Sequence, residues 1–371
     1  MKSCTLVLLF TLFTTILSAQ VPYNSALQNG YTKKATVSEQ IGLTEVTITY
    51  HRPAVKGREG KIWGGVIHKG FTDQGFGNRK PAPWRAGANE NTIIEFDNDV
   101  KVEGQLLPKG KYGLFIAYDS VKSSIIFSKR TDAWGSFFYN EKEDALRVKV
   151  KPQPLEKSTE FLKYEFTNQQ TNASTILLAW ERLSIPFKVE VDHLKQQYDA
   201  LVQESQNPRG FTSQGLTIAA SWILQNNYQL DKGLEWTTLA SGSAFPGDPT
   251  SFSALTTKAA IMEKLGKSEQ AAAVIKTALP FGSAVQLQQL GRQMITAKDP
   301  KKALEVFQYN YNKHPDQFIT LTGMVRGLSA NGEYVKALEF ANKALPLAPN
   351  DAGKQAVQGM IDKLKSGKDV N

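Results

Sequence analysis

Residues 286–316 read QLQQLGRQMITAKDPKKALEVFQYNYNKHPD, and residues 319–351 read ITLTGMVRGLSANGEYVKALEFANKALPLAPND. The two stretches align at a constant offset of 34 residues, with small or apolar residues at the shared positions and a proline closing each copy. The aligned pairs are Leu287 and Leu321, Leu290 and Met324, Gly291 and Val325, Met294 and Leu328, Ala303 and Ala337, Phe307 and Ala341, and Pro315 and Pro349. Apolar residues three and four apart predict amphipathic helices, and each copy has room for two. The C-terminal part of the chain is therefore expected to be a stack of helical hairpins.

A period of 34 residues is that of tetratricopeptide repeats. Two looser copies precede the clear ones; they are centred on Leu255, Ala259, Met262 and Ala271, and on Ala220, Leu224, Gly233 and Ala240. The insertion SGSAFPGDPT (241–250) separates these two copies. We predict a tetratricopeptide-like array over residues 211–371, joined to the N-terminal half by a helical linker at 192–210. Generic helical hairpins with coincident spacing are the alternative.

Residues 35–191 follow a period of two, with β-branched and aromatic residues alternating with polar ones. The strand-like stretches are EVTITY (45–50), NTIIEF (91–96), VKVEG (100–104), YGLFIAY (112–118), SSIIFSK (123–129), LRVKVKP (146–152), EFLKYEFTN (160–168), STILLAWERL (174–183) and IPFKVEV (185–191). Many short strands with no helical run between them are typical of an antiparallel β-sandwich or jelly roll. We assign this fold to residues 20–191, so the whole chain is an α+β multidomain protein.

The N-terminus predicts export. Lys2, an apolar run from Leu6 to Leu17 and the small residues Ser18 and Ala19 form a signal peptide over residues 1–19. The apolar run is shorter than the roughly 20 residues that span a bilayer, and no other long apolar segment follows it, so no membrane span is predicted. The only cysteine, Cys4, lies inside the signal, so the mature chain would contain no disulfide. We expect a periplasmic or secreted protein.

The charge balance is basic but does not indicate nucleic-acid binding. Without Lys2 the chain carries 43 basic and 35 acidic residues, a net charge of 43 − 35 = +8. These charges are scattered, with no run of five or more of one sign. The net positive charge therefore favours acidic partners in general. The sequence contains no nucleic-acid-binding motif.

A candidate binding patch lies in residues 51–90, which contain few strand signals and many glycines, cations and aromatic residues. Its proposed members are Arg52, Arg58, Trp84, Arg85, Asn89 and Glu90. Guanidinium groups fit carboxylates or phosphates, and indole rings give flat apolar surfaces, so the patch suits an anionic or carbohydrate ligand. The alternative is internal: the arginines pair with acids and main-chain carbonyls while Trp63 and Trp84 plug one end of the domain. Asn89 and Gly87 are expected to form the turn, because both tolerate left-handed backbone angles.

No catalytic or cofactor-binding motif is present, and the histidines at 51, 68, 193 and 314 lack metal-ligand spacing. We therefore predict neither a metal site nor a cofactor. Arg292 and Arg326 occupy the same slot in two repeats, 34 residues apart, and are expected to point into one groove suited to an acidic peptide. Two solvated arginines on helix surfaces are the alternative.

Seven ordered segments carry a resemblance to a known family. They are RPAVKGRE, IWGG, WRAGANENTIIEF, VKVEGQLLPKGKYGLF, IIFSK, AWGSFFYNEKEDALRVKVKP and LAWERLSIPFKV. The region from about residue 34 to 191 resembles the DUF2911 family, exported bacterial proteins of unassigned function common in Bacteroidetes. The resemblance implies that a tetratricopeptide-like region commonly accompanies this domain in the same chain. It implies no activity and no catalytic residues. The segment HKGFTDQGFGNRKPAP (68–83) is longer than the short turn of the family pattern, so a pocket there is expected to differ in shape.

Together these features predict a non-enzymatic exported protein. The helical array would dock a peptide or protein, and the β domain would bind a ligand or pack on a partner. The alternative is an envelope hydrolase acting on polysaccharide or peptide, with its site in the 51–90 loop. An acid and a base converging in that loop would distinguish the two.

Overall fold

A computed structural model describes residues 32–371, and the predicted signal peptide with Cys4 lies outside these residues. The chain divides into two compact units between His193 and Leu194. The first unit contains the strands and the second the helices.

The first unit is built from ten strands. They are β1 (Lys33–Ile41), β2 (Thr44–Arg52), β3 (Thr92–Phe96), β4 (Val100–Val102), β5 (Gln105–Leu107), β6 (Gly110–Ala117), β7 (Ser123–Ser128), β8 (Asp144–Val150), β9 (Gln153–Gln170) and β10 (Ala173–Glu190). One sheet has the order β1-β2-β3-β6-β7-β8 and the other β5-β4-β10-β9. Neighbouring strands in both sheets are antiparallel. This confirms the predicted N-terminal antiparallel β unit.

Both sheets contribute to one hydrophobic core. Along β2 the alternate residues Val46, Ile48 and Tyr50 are buried, as the period of two requires. They belong to the same cluster as Trp180 and Phe187 of β10, in the other sheet. The alternation read from the sequence therefore identifies the core-facing side of these strands.

The strand boundaries differ from the predicted ones in several places. Strands β1 and β5 were not among the predicted stretches, and β9 begins at Gln153 and not at residue 160. The two stretches expected at 174–183 and 185–191 form the single strand β10. Its pairing with β9 shifts register on either side of Glu181, which has a φ of +53°. A β-bulge at this point lets one strand continue through what looks like a break in the sequence.

The second unit is built from ten helices. They are α1 (His193–Glu204), α2 (Ser213–Asn226), α3 (Leu230–Ala240), α4 (Phe252–Lys264), α5 (Ser268–Ala278), α6 (Ala284–Thr296), α7 (Pro300–Lys313), α8 (Phe318–Ala330), α9 (Tyr334–Ala344) and α10 (Asp351–Lys365). Helices α6 and α8 begin 34 residues apart, as do α7 and α9. The helices form a tetratricopeptide-like arrangement, as predicted. We call α2, α4, α6 and α8 the A helices, the first of each pair.

Helix α1 does more than connect the two halves of the chain. Its residues Tyr198, Leu201 and Val202 pack against the hydrophobic cluster formed by α2, α3 and α4. The segment expected to be a linker thus covers the apolar surface of the first helical pair, as a terminal cap of a repeat array does.

The closest packing in the array surrounds Phe307 of α7, which is fully buried. A Cβ atom added at Gly291, Gly323 or Gly327 would lie 2.5, 2.8 or 2.8 Å from this ring. The ring of Phe307 therefore fills space that three glycines on α6 and α8 leave open. Small residues at these positions fix how closely the A helices approach α7.

We predict that Gly327→Ala lowers the free energy of unfolding by about 1–3 kcal/mol, because the new methyl group overpacks the site of Phe307. The matched control is Gly359→Ala in α10, where an added Cβ meets nothing within 4 Å. That exposed change should stabilise the helix by up to about 1 kcal/mol. Denaturant unfolding of both variants measures the two effects, and equal shifts in both would contradict the packing argument.

Candidate functional site

The stretch from Trp84 to Glu90 forms a tight turn that leads into β3. The main chain of Trp84 pairs with Ile116 through hydrogen bonds of 2.9 and 2.8 Å, and its indole Nε1 donates to the Gly87 carbonyl at 3.0 Å. Ala86 and Asn89 adopt left-handed angles, with φ of +53° and +59°. The expectation that Gly87 adopts a left-handed backbone angle was wrong, because its φ lies outside the left-handed region. A glycine is needed there because a Cβ would lie 2.5 Å from Thr92 Oγ1.

Arg85 holds this turn together from one side. Its Nη1 donates to the Asn89 carbonyl at 2.8 Å, and its guanidinium lies 5.5 Å from the centre of the Phe137 ring. Burial lowers the pKa of the Arg85 guanidinium from its ordinary value. The charge is thus kept partly out of water by contacts within the domain.

His51 of β2 lies at the centre of the turn and was not among the predicted site residues. It is buried, with 4% of its surface exposed. Asn89 Nδ2 lies 3.1 Å from His51 Nδ1 and 2.7 Å from Thr32 Oγ1, and Glu90 forms a short contact with His51 Nε2. With the amide donating to Nδ1, the proton of the ring is on Nε2 and faces the carboxylate of Glu90. An acid and a base do converge here, yet both ring nitrogens are already engaged inside the domain.

Arg52 and Arg58 make their hydrogen bonds elsewhere. Arg52 Nε donates to the Leu162 carbonyl at 3.0 Å, and its guanidinium lies 5.9 Å from the Phe161 ring centre. Arg58 donates to the carbonyls of Val55 and Ala54, at 2.9 and 2.7 Å. These contacts favour the alternative in which the arginines tie the 51–90 segment down. A single patch joining both arginines to the 84–90 turn stays a prediction.

Aromatic rings fill the end of the β unit beside the turn. Trp63 lies 5.7 Å from Trp84 and 5.0 Å from Tyr118, and Trp84 stacks on Trp180 at 6.3 Å between ring centres. The Trp63 indole donates to the Trp180 carbonyl at 3.1 Å. Three of these four rings are buried. The indoles therefore pack one end of the domain, as in the alternative in which Trp63 and Trp84 have a structural role.

A more exposed group of aromatic side chains, which the sequence analysis missed, lies on two neighbouring loops. We call it the aromatic face; its members are Phe71, Phe76, Trp134 and Phe138, exposed by 41, 67, 52 and 49%. The loops are joined by a hydrogen bond of 3.0 Å from Asn78 N to the Phe137 carbonyl. Arg147 lies 5.5 Å from the Phe71 ring centre. Exposed aromatic patches of this kind often mark a contact surface. The aromatic-rich run AWGSFFYN (133–140) is the sequence feature from which this face could have been predicted.

In the helical unit, a groove of about 560 Å³ follows the A helices α6 and α8. Its lining residues are Val285, Gln288, Gln289, Arg292, Gln293, Thr296 and Ile319, and we call it the A-helix groove. Arg292 is the one charged side chain among them. Gln288 is nine-tenths buried, and its Oε1 has no hydrogen-bond partner among the described residues. The groove thus offers a cation to a ligand, whereas the Gln288 oxygen lies against Gly323 of α8, where an added Cβ would be 2.3 Å away.

Arg326 lies on α8, seven residues or two helical turns after Ile319, so the two share a face of the helix. Burial lowers the pKa of Arg326, and the positive charge of Arg292 lowers it further. Arg326 is not among the groove-lining residues, so a groove shared by the two arginines stays a prediction.

Residues 32–371 contain neither a candidate metal site nor a candidate membrane-spanning helix. Within this range no group of three or more histidine, cysteine or acidic side chains is placed to hold a metal ion. None of the helices in the same range is long and apolar enough to cross a membrane.

The architecture defines the class: an all-β unit with a tightly tied turn at one end, followed by a tetratricopeptide-like array. Residues 32–189 match the family described as "Protein of unknown function (DUF2911)". The β unit is therefore a DUF2911 domain, and the predicted resemblance is confirmed. No curated protein matches the sequence.

Several solved structures are similar to part of the chain. One is YrrB, described as a TPR protein with an unusual peptide-binding site, at 15% identity over 47% of this chain and 87% of that one, with a TM-score of 0.28. Another is TTC0263, a thermophilic TPR protein of Thermus thermophilus, at 20% identity over 47% and 92%, with a TM-score of 0.30. A third is MamA from residue 41 to its end, of Desulfovibrio magneticus RS-1, at 13% identity over 42% and 93%, with a TM-score of 0.27. At such identities and TM-scores, the chemistry of the groove rests on the side chains of this chain.

We predict that Arg85→Met lowers the free energy of unfolding by about 1.5–3 kcal/mol, because a charged donor to a turn carbonyl is lost. The matched control is Arg130→Met in the same unit. Arg130 pairs at 3.2 Å with Asp132, whose side chain is 83% exposed, so its loss should cost about 0–1 kcal/mol. Denaturant unfolding separates the two variants. Unchanged stability in Arg85→Met would mean that the guanidinium is free to serve a ligand.

Proposed function

We propose that the protein is an exported, non-enzymatic interaction protein that binds an acidic peptide segment of a partner in its A-helix groove. Export enters this proposal through the predicted signal peptide. The observation that carries the binding role is Arg292 in a groove otherwise lined by apolar and uncharged polar side chains, with Arg326 two helical turns beyond Ile319 on α8. Stacked helical repeats present such continuous surfaces because each unit contacts only its neighbours.

The charge of the groove favours an anion. Burial first, and then the repulsion from the positive charge of Arg292, lowers the pKa of Arg326. A carboxylate placed between two guanidinium groups relieves this repulsion and accepts charge-assisted hydrogen bonds. Binding of an acidic side chain is therefore more favourable at this pair than at an isolated surface arginine.

The amide side chains of the groove favour a peptide over a small anion. Gln289 and Gln293 line it beside Arg292, and their amides can both donate and accept hydrogen bonds. The main chain of a peptide supplies N–H donors and carbonyl acceptors at regular spacing, and its side chains supply the carboxylates. One extended peptide can therefore bind these amides and the arginine together.

We expect an oligo-glutamate peptide to bind the wild-type protein more tightly than oligo-glutamine of equal length. Arg292→Gln and Arg326→Gln should each weaken that binding about ten- to a hundredfold, since a charge-assisted hydrogen bond contributes about 1.5–3 kcal/mol. Fluorescence anisotropy of labelled peptides measures the affinities, which should also fall with added salt.

The control for lost charge is Lys276→Gln, an exposed cation on α5 outside the groove lining. Its affinity for oligo-glutamate should match that of the wild type. If all three variants bind alike, net charge rather than the arginine pair attracts the peptide, and the groove proposal is wrong.

The aromatic face supports a second candidate function, in the β unit. Its exposed rings give flat apolar surfaces, and Arg147, which pairs with Asp144 and Glu141, lies beside Phe71. This combination suits an anionic polysaccharide, whose sugar rings can lie on aromatic faces while its carboxylates replace the exposed Glu141 at the cation. An anionic or carbohydrate ligand was also predicted for the 51–90 segment. The aromatic face is a neighbouring and more accessible surface for such a ligand.

For this candidate we expect wild-type protein to bind alginate but not neutral dextran. The double variant Phe76→Ala/Trp134→Ala should lose most of the alginate binding in isothermal titration calorimetry. Val121→Ala removes an equally exposed apolar side chain from the turn between β6 and β7 and should change nothing. Equal binding by both variants would exclude the aromatic face as the site.

A further inference from the structure

The segment that follows α10, residues 366–371, folds back onto the A helix α8. Ser329 Oγ donates to Asp369 Oδ1 at 2.7 Å and accepts a hydrogen bond from Val370 N at 3.0 Å. Ser329 lies three residues after Arg326, one turn along the same side of α8. The segment is therefore bound beside the arginine pair.

Contacts to Arg326 itself extend this docking. Asn371 Nδ2 donates to the Arg326 carbonyl at 3.1 Å, and Arg326 Nη1 lies 3.4 Å from Asn371 Oδ1. The negative charge of Asp369 raises the pKa of Arg326 and so opposes the effects of burial and of Arg292. Asp369 thus supplies part of the negative charge that the arginine pair favours.

The apolar residue of the segment is also bound. Val370 is buried, with 7% of its surface exposed, and belongs to the cluster that includes Leu328 of α8 and Ile361 and Leu364 of α10. The bound sequence is therefore an acidic residue, a buried apolar residue and an amide, with hydrogen bonds to one A helix. These are the chemical features expected of an extended peptide ligand.

We propose that residues 366–371 act as an intramolecular competitor bound at Arg326 of α8, seven residues along the helix from Ile319 of the A-helix groove. The partner is then an extended peptide in which an acidic residue precedes an apolar one, and it must displace this segment to reach Arg326. This inference rests on the proposed peptide-binding function. The competing explanation is a permanent cap, in which the segment only covers apolar surface at the end of the array.

The affinity of oligo-glutamate for two chains tests the displacement: the full chain, and a chain that ends after Ser366. The deletion removes Lys368 and Asp369, so the net side-chain charge is unchanged (+1 − 1 = 0). We expect the shortened chain to bind at least about tenfold more tightly, as follows if the segment occupies the site about 90% of the time.

A second variant, Val370→Gly in the full chain, guards against misfolding of the shortened chain, because it removes only the apolar anchor. It should also bind more tightly than wild type, while Lys368→Gln, an exposed change in the same segment, should bind like wild type. Hydrogen exchange at the Val370 amide, which Ser329 protects, should accelerate when the peptide is added to the full chain.

The outcomes separate the two proposals. Equal affinity of the full and shortened chains, with Val370 still protected in the complex, overturns the competitor role and leaves peptide binding intact; the segment is then a cap. Failure of every chain to bind oligo-glutamate overturns the proposed function, and this inference with it.

Discussion

The packing of Phe307 against three glycines is the constraint on which the helical unit depends. The ring occupies volume that any Cβ at Gly291, Gly323 or Gly327 would invade, so α6, α7 and α8 can approach only in one way. Arg292 directly follows the first of these glycines, and Arg326 directly precedes the last. The same contact therefore sets the helix spacing beside both arginine positions.

The β unit uses its arginines differently. Between β2 and β3 the chain runs for about forty residues without regular strands, and its main-chain carbonyls still need donors. Arg52, Arg58 and Arg85 each donate to main-chain carbonyls. A guanidinium with several donors can hold two segments of irregular chain at once, which explains why cations and glycines concentrate here. Their abundance in the sequence reflects this structural need before any ligand.

Periodic features could be predicted from the sequence, and long-range pairings could not. The period of two located most strands, and the offset of 34 residues located the helical pairs, because each reports burial on a regular element. No pattern in the sequence indicates that His51 and Glu90 converge, because their contact depends on how a loop of about forty residues returns to β2. Neighbouring residues of a strand point to opposite faces, so His51 and Arg52 are adjacent in sequence but serve different contacts. For the same reason, the docking of residues 366–371 onto α8 follows from three-dimensional packing and not from a repeat position.

The contacts that hold residues 366–371 also determine which peptide ligands could displace this segment. One hydroxyl–carboxylate hydrogen bond and the amide contacts each contribute about 0.5–1.5 kcal/mol, and burial of one valine about 1.5–3 kcal/mol. Tethering to α10 raises the effective concentration of the segment, so even these few contacts keep the site mostly occupied. The segment reaches Arg326, whereas Gln288 and the rest of the groove lining lie beyond its hydrogen bonds. A longer acidic peptide could engage both arginines and the amides of the groove lining, and its additional contacts would outweigh the tether. The groove should therefore select ligands by length as well as by charge.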